Sequence, residues 1–131
     1  MSDTLLNGQW LEPGHSLKSK NGGYEFSMQG DGKVALYSYG RCIYQNTPEQ
    51  RSDIRGLHMQ NDGNLCLYTK NNELIWQTDT ASPKGDHTVW CVMQDDGNFV
   101  LYKNGDIPIW ASNDSLPKDY GVIRRSGIGR H

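Results

Sequence analysis

The sequence is short of the features that mark most functional classes. Its three cysteines are an odd number, and Cys42, Cys66 and Cys91 form no Cys-x-x-Cys pair. That argues against a disulfide framework or a zinc site and for buried thiols. No apolar run is long enough to span a bilayer, so membrane insertion is not expected. The opening MSDTLLNGQWLE lacks the basic and apolar regions of a signal peptide. Read by itself it predicts a cytoplasmic chain, with unconventional secretion as the route to any outside partner. Charge of one sign is also lacking: the net charge is −2, which gives no reason to expect nucleic acid as a partner. Residues 1–114 carry 9 basic and 14 acidic side chains, and the basic excess sits in the tail 115–131 with Lys118, Arg124, Arg125 and Arg130.

Chemical signatures are missing as well. No Ser-His-Asp set or phosphate loop is present, and His15, His58, His87 and His131 have no partner pattern and read as surface residues. The carboxylates do not form the spaced pair that glycoside hydrolysis needs. An Asp-x-Asn string occurs, but no Glu follows where a calcium loop requires one. The expectation is therefore a protein that is not an enzyme and holds no metal or cofactor.

Hydrophobic residues make up 35% of the 131, with only two Phe, so the core must be thin and the four Trp and seven Tyr must supply much of its burial. The length fits one domain, read here as residues 1–114 followed by a tail. What the chain does have is a threefold repeat. Met28-QGDGKVALY-Ser38, Met59-QNDGNLCLY-Thr69 and Met93-QDDGNFVLY-Lys103 place Gln29, Gln60 and Gln94 at intervals of 31 and 34 residues. Each is followed by a second block, CIYQN, LIWQT or PIWAS, whose aromatic Tyr44, Trp76 or Trp110 lies 7, 8 and 8 residues beyond the motif Tyr. Repeats of this kind are sought first because they decide the architecture.

Each motif alternates with period two. Gln60, Asp62, Asn64, Cys66 and Tyr68 share one parity, and Met59, Leu65 and Leu67 the other. On a strand these sets face opposite sides, one toward a core and one outward. Turn signals such as Asn21-Gly22-Gly23 and Ser82-Pro83-Lys84-Gly85 separate the blocks. One such hairpin cannot bury its own apolar face, so three should meet around a shared axis as the sides of a prism. Tyr44, Trp76 and Trp110 would point inward; the pattern assigns no place to Trp10 or Trp90.

The string Gln-x-Asp-x-Asn-x-Val-x-Tyr resembles the signature of the bulb-type (monocot-type) mannose-binding lectin family. The third repeat matches fully as Gln94, Asp96, Asn98, Val100 and Tyr102. The second has Cys66 in the Val position beside Gln60, Asp62, Asn64 and Tyr68. The first keeps Gln29, Asp31 and Tyr37 but has Lys33 and Ala35. The resemblance spans about residues 5–114. It implies an all-β fold, the β-prism of three antiparallel four-stranded sheets with pseudo-threefold symmetry. It implies binding of mannose-containing glycans or glycoproteins in a shallow pocket on each sheet, without metal. Gln, Asp, Asn and Tyr would then meet sugar hydroxyls, and Val the sugar's carbon face. The residue types suit this, since Asp accepts only while amides and a phenol both donate and accept. On one continuous strand the set would stretch over about 25 Å and would need curvature to meet one ring.

Other readings bear on the same residues. Asp-Gly is a favoured hairpin-turn pair, although the flanking Gln and Tyr favour a ligand face. Lys33 is expected to weaken or remove the first site. The substitutions at Lys33, Ala35 and Cys66 would also suit a protein-interaction module that kept the prism and lost the sugar. A site this shallow should bind with a dissociation constant on the order of 1 mM. Several sites would add avidity. Members of the family often exchange C-terminal strands, which implies a homodimer through residues 115–131.

Overall fold

The computed structural model describes residues 2–45 and 50–115. Among them are twelve short strands: β1 (Thr4–Leu5), β2 (Trp10–Leu11), β3 (His15–Lys18), β4 (Tyr24–Met28), β5 (Val34–Ser38), β6 (Arg41–Gln45), β7 (Ile54–Met59), β8 (Leu65–Thr69), β9 (Leu74–Gln77), β10 (Trp90–Met93), β11 (Phe99–Lys103) and β12 (Ile107–Ala111). One helical turn, α1 (Ser112–Ser115), follows. The strands form three antiparallel four-stranded sheets, ordered β1-β10-β11-β12, β2-β7-β8-β9 and β3-β4-β5-β6. This is the prism that the repeats predict.

The closure of the prism does not follow the repeat boundaries. The sheet of the first repeat is a local meander. Those of the second and third repeats each take their outer strand from the first eleven residues: β2 pairs with β7 and β1 with β10. The N-terminal segment thus stitches all three sheets together. Residues 116–131 lie outside the described residues, as does the strand exchange expected of the tail.

Register aligns the repeats into layers around the axis. Met28, Met59 and Met93 are equivalent and fully buried, opposite Val34, Leu65 and Phe99. Phe26, Leu57 and Cys91 form the next layer, opposite Leu36, Leu67 and Leu101. The sizes compensate: Phe26 shares its sheet with Val34, Cys91 shares its sheet with Phe99, and Leu57 and Leu65 are intermediate. The two Phe rings stack across the axis with centroids 3.7 Å apart. Only a large-with-small arrangement fills such a core without strain. The second-block aromatics pack against this core, opposite Leu36, Leu67 and Leu101. Tyr44 is buried, while Trp76 and Trp110 meet edge to face at 6.0 Å and stay partly exposed.

Each sheet also slips register by one residue just before the motif Tyr, between Leu36 and Tyr37, Leu67 and Tyr68, and Leu101 and Tyr102. In the third repeat Leu101 faces Trp110 but Tyr102 faces Pro108, so Ile109 is the extra residue. A bulge of this kind raises local twist and re-aims the neighbouring side chain. Pro108 is tolerated because β12 is an edge strand.

Candidate functional site

The structure redraws the geometry of the motif. Gln, Asp and Asn do not lie along a strand with Tyr. The strands begin at Val34, Leu65 and Phe99, and the preceding five residues form a tight hairpin loop. In the third repeat Gln94 N–H donates to the Asn98 carbonyl at 3.1 Å and Gly97 N–H to the Gln94 carbonyl at 3.0 Å. The other two repeats make the same pair of bonds. The Asp carboxylate caps the turn, Asp96 Oδ1 accepting from Asn98 N–H at 2.9 Å, with equivalents at Asp31 and Asp62. Gly97 sits at φ 87°, and a Cβ there would meet the Tyr24 ring of the neighbouring sheet at 2.8 Å. The position therefore needs Gly both for its left-handed backbone and for the close approach. The turn reading and the ligand-face reading describe one object, because folding the loop back brings Gln onto Tyr. Gln94 Nε2 donates to Tyr102 Oη, Gln29 Nε2 to Tyr37 Oη, and Tyr68 Oη donates to Gln60 Oε1 at 2.5 Å. A groove of about 25 Å is thereby replaced by a compact polar cluster at each loop.

The small residue expected to touch a sugar's carbon face is buried in every repeat. Ala35, Cys66 and Val100 are 0%, 2% and 3% exposed, so they are the packed floor beneath the cluster and not an open wall. Burial pushes the Cys66 thiol up, as it does Cys42 and Cys91, so all three stay protonated and inert near neutral pH. Burial likewise raises Tyr37 and Tyr68, which keeps their phenols available as donors.

The three clusters are not equivalent, and the difference lies opposite the floor residue. Ala35 faces Gln45, Cys66 faces Gln77, and Val100 faces Ala111. In the second repeat both ends of the Asn64 amide are engaged. Its Oδ1 accepts from Thr78 Oγ1 at 3.0 Å and Thr80 N–H at 3.3 Å, and its Nδ2 donates to Gln77 Oε1 at 2.8 Å. In the third repeat Asn98 Oδ1 is held the same way, by Ser112 Oγ at 3.1 Å and Asn113 N–H at 3.0 Å. With Ala111 opposite, nothing among the described residues accepts from Asn98 Nδ2. In the first repeat Lys33 replaces Asn, and Gln45 Nε2 reaches Gln29 Oε1 at 3.4 Å.

Two aromatics that the repeat pattern could not place stand on the outer faces beside the motif Tyr. Trp90 pairs in register with Tyr102, and their rings stack at 5.4 Å. Trp10 lies 6.2 Å from Tyr68, stacks on His58 at 4.2 Å and carries the Arg55 guanidinium on its face at 3.9 Å. His58 is therefore a stacked, half-buried residue, and not the free surface histidine its sequence context suggested. Desolvation, aided by nearby Arg55, lowers its pKa. The alternation of Trp10 with the buried Leu11, and of Trp90 with the buried Cys91, is the sequence signal that could have placed them.

The chain's similarities run in the same direction. The profile of the D-mannose binding lectin family matches residues 44–123. Curculin-2 from Molineria latifolia is 36% identical over 76 residues, 57% of this chain and 47% of that protein. The chain spans about half the length of the curated relatives it matches. Among solved structures, a monomeric monocot mannose-binding lectin from Gastrodia elata superposes with TM-score 0.72 at 33% identity, covering 84% of this chain and 94% of that one. The mannose-specific agglutinin of snowdrop (Galanthus nivalis), solved with methyl-α-D-mannoside, superposes with TM-score 0.67 at 29% identity, covering 88% and 100%.

Proposed function

This chain belongs to the D-mannose binding lectin family, and from that premise we propose that it binds mannose-type glycans, without metal, at the third repeat. Gln94, Asp96, Asn98 and Tyr102 meet the sugar hydroxyls there, above the floor set by Val100. The observation that carries this reading is the state of Asn98: its carbonyl oxygen is fixed by Ser112 and Asn113, and its amide N–H donors are left for a ligand. A buried or half-buried donor without a partner is costly, and a hydroxyl that supplies one is favoured over an isomer that does not. The lower ranking of the other repeats follows from their own contacts. Gln77 competes for Asn64, and Lys33 offers no amide. The interaction-module alternative is not favoured, because the third repeat keeps every motif residue. Weak sites of this type gain from multivalency, so a homodimer joined through residues 115–131 belongs to the same reading.

The test is a ¹H–¹⁵N titration with methyl α-D-mannopyranoside and its galactoside counterpart. The mannoside should bind with a dissociation constant on the order of 1 mM, with the largest shifts at Asn98, Val100 and Tyr102, and the galactoside more weakly. Absence of mannoside shifts far above that concentration would reject the function, and shifts confined elsewhere would reject the site.

The competition at Gln77 is open to a reciprocal exchange. A net hydrogen bond is worth about 0.5–1.5 kcal/mol, or roughly two- to tenfold in affinity. Gln77→Ala should strengthen mannoside binding at the second repeat by about that factor. Ala111→Gln should weaken it at the third. If Gln77→Ala weakens the second site, Gln77 is a sugar contact and not a competitor.

A further inference from the structure

We propose that Asn21, in the β3–β4 hairpin of the first repeat, is a positioning residue for the sugar site of the third: it touches no sugar and acts through Asp95, which stands between Gln94 and Asp96. The inference rests on the mannose reading above and adds a residue from another sheet on which that site depends. The tie is double. Asn21 N–H donates to Asp95 Oδ1 at 2.8 Å, and Asn21 Nδ2 donates to the Asp95 carbonyl at 3.2 Å. The first bond fixes the carboxylate and the second fixes the main chain that leads into Asp96.

Asn21 is itself held. Its Oδ1 accepts from the hydroxyl of buried Ser19 at 2.7 Å and from Gly23 N–H at 3.0 Å, and Gly22 N–H donates to the Ser19 carbonyl at 2.9 Å. The side chain thus spends its acceptor on its own turn and its donor on the neighbouring loop. Tyr24 of the same hairpin places its ring against Gly97, and Tyr39 braces that ring edge to face at 5.4 Å. The third motif loop is therefore gripped at Asp95 and at Gly97, on either side of Asp96. A five-residue loop meets a ligand well only in the conformation that gathers its polar groups, and apparent affinity falls with the fraction of time spent there. Holding the loop in advance removes an ordering cost from binding.

The ties run in a ring around the prism. The first motif loop leans on the second repeat, where Arg51 N–H donates to the Asp31 carbonyl at 2.8 Å. The second leans on the segment before β10, where Ser82 N–H donates to the Asp62 carbonyl at 2.7 Å and Asp86 N–H to the Asn61 carbonyl at 3.0 Å. The third returns to the first repeat. Those first two ties end on main-chain carbonyls, and the position equivalent to Asp95 is Gly30 in one loop and Asn61 in the other. The third tie adds a carboxylate. The first repeat, which carries Lys33 in its own motif, thereby still serves the site of the third.

The experiment combines amide hydrogen exchange in wild type with mannoside titrations of Asn21→Ala, Asp95→Ala, their double variant and Asp95→Asn. A ligand that requires the closed loop suppresses its opening, so methyl α-D-mannopyranoside at about ten times its dissociation constant should slow exchange of Asn21 N–H by about tenfold. Lys70 N–H, which donates to the Asp53 carbonyl at 2.8 Å in the second repeat, should exchange as before. Each Ala variant should weaken binding roughly two- to tenfold, the contribution of one net hydrogen bond. The double variant should bind no more weakly than the worse single one, because both changes break the same tie. Asp95→Asn keeps an oxygen for Asn21 N–H and should bind within about twofold of wild type. Wild-type binding with no slowing at Asn21, equal slowing at Lys70, full affinity in Asn21→Ala, or losses that add in the double variant would overturn the positioning role while leaving the mannose reading intact. A wild-type chain that binds no mannoside would overturn both. The exchange measurement is made in wild type and does not depend on any variant folding.

Discussion

Asn98→Ala is expected to lower mannoside affinity by roughly five- to a hundredfold, which takes a millimolar site out of practical detection. The estimate rests on the penalty for stranding polar partners, about 1–3 kcal/mol per group. Two sets are stranded at once: the sugar hydroxyl that the amide would meet, and the Ser112 hydroxyl and Asn113 N–H that its carbonyl now satisfies. The matching change in the second repeat separates binding from stability. Asn64 is only 6% exposed and spends both ends of its amide on Thr78, Thr80 and Gln77. Asn64→Ala should therefore cost stability while leaving the third site's titration unchanged. The double variant Asn64→Ala, Asn98→Ala should bind no mannoside. Calorimetry together with thermal denaturation of the three variants reads both quantities. Undiminished binding in the double variant would place the sugar site away from the motif.

The largest effect on stability is expected at Phe99. Its ring is fully buried, stacks on Phe26 at 3.7 Å and reaches Trp110 at 6.3 Å. Phe99→Ala should remove about 3–5 kcal/mol, combining lost transfer energy with a cavity on the axis that three short sheets cannot collapse around. A domain of this size has some 5–15 kcal/mol in total, so the loss should lower Tm by about 10–20 °C. Phe99→Leu should be far milder, since Leu65 fills the equivalent place in the second repeat. Phe26→Ala should cost a similar amount, and the double variant less than the sum, because the rings share one contact. Urea denaturation measures all of these. A loss below about 1 kcal/mol for Phe99→Ala would mean that the ring is not part of the packed axis. Because Phe99 follows Asn98 directly and its N–H donates to Ser112 Oγ at 2.9 Å, the destabilised variant should also bind sugar less well.

Fold and site were legible in the chain to different depths. The period-two alternation of Leu65, Leu67 and Met59 against Gln60 and Tyr68 was enough to call for strands with one buried face, because the pleat forces that pattern. It misled over Gln, Asp and Asn, since a five-residue hairpin loop preserves the same spacing while running the chain in a different path. The Asp-Gly pair was the local signal for that loop. The 7- and 8-residue gaps to Tyr44, Trp76 and Trp110 held room for a bulge, but nothing local shows where a strand takes up an extra residue. His58 read as a surface residue because its partner Trp10 lies 48 positions away in the sequence.

The number of repeats, the strand character and the buried faces are all written in the chain, for these depend on contacts between residues a few positions apart. Long-range pairing alone sets three further features: residues 4–11 complete two of the sheets, Gln77 engages Asn64 while Ala111 leaves the Asn98 amide N–H groups unclaimed among the described residues, and Trp90 lies beside Tyr102. Those outcomes depend on which strand pairs with which across the sheet. That pairing is fixed by filling one shared core with side chains of complementary size, and no single repeat contains enough of that core to reveal it.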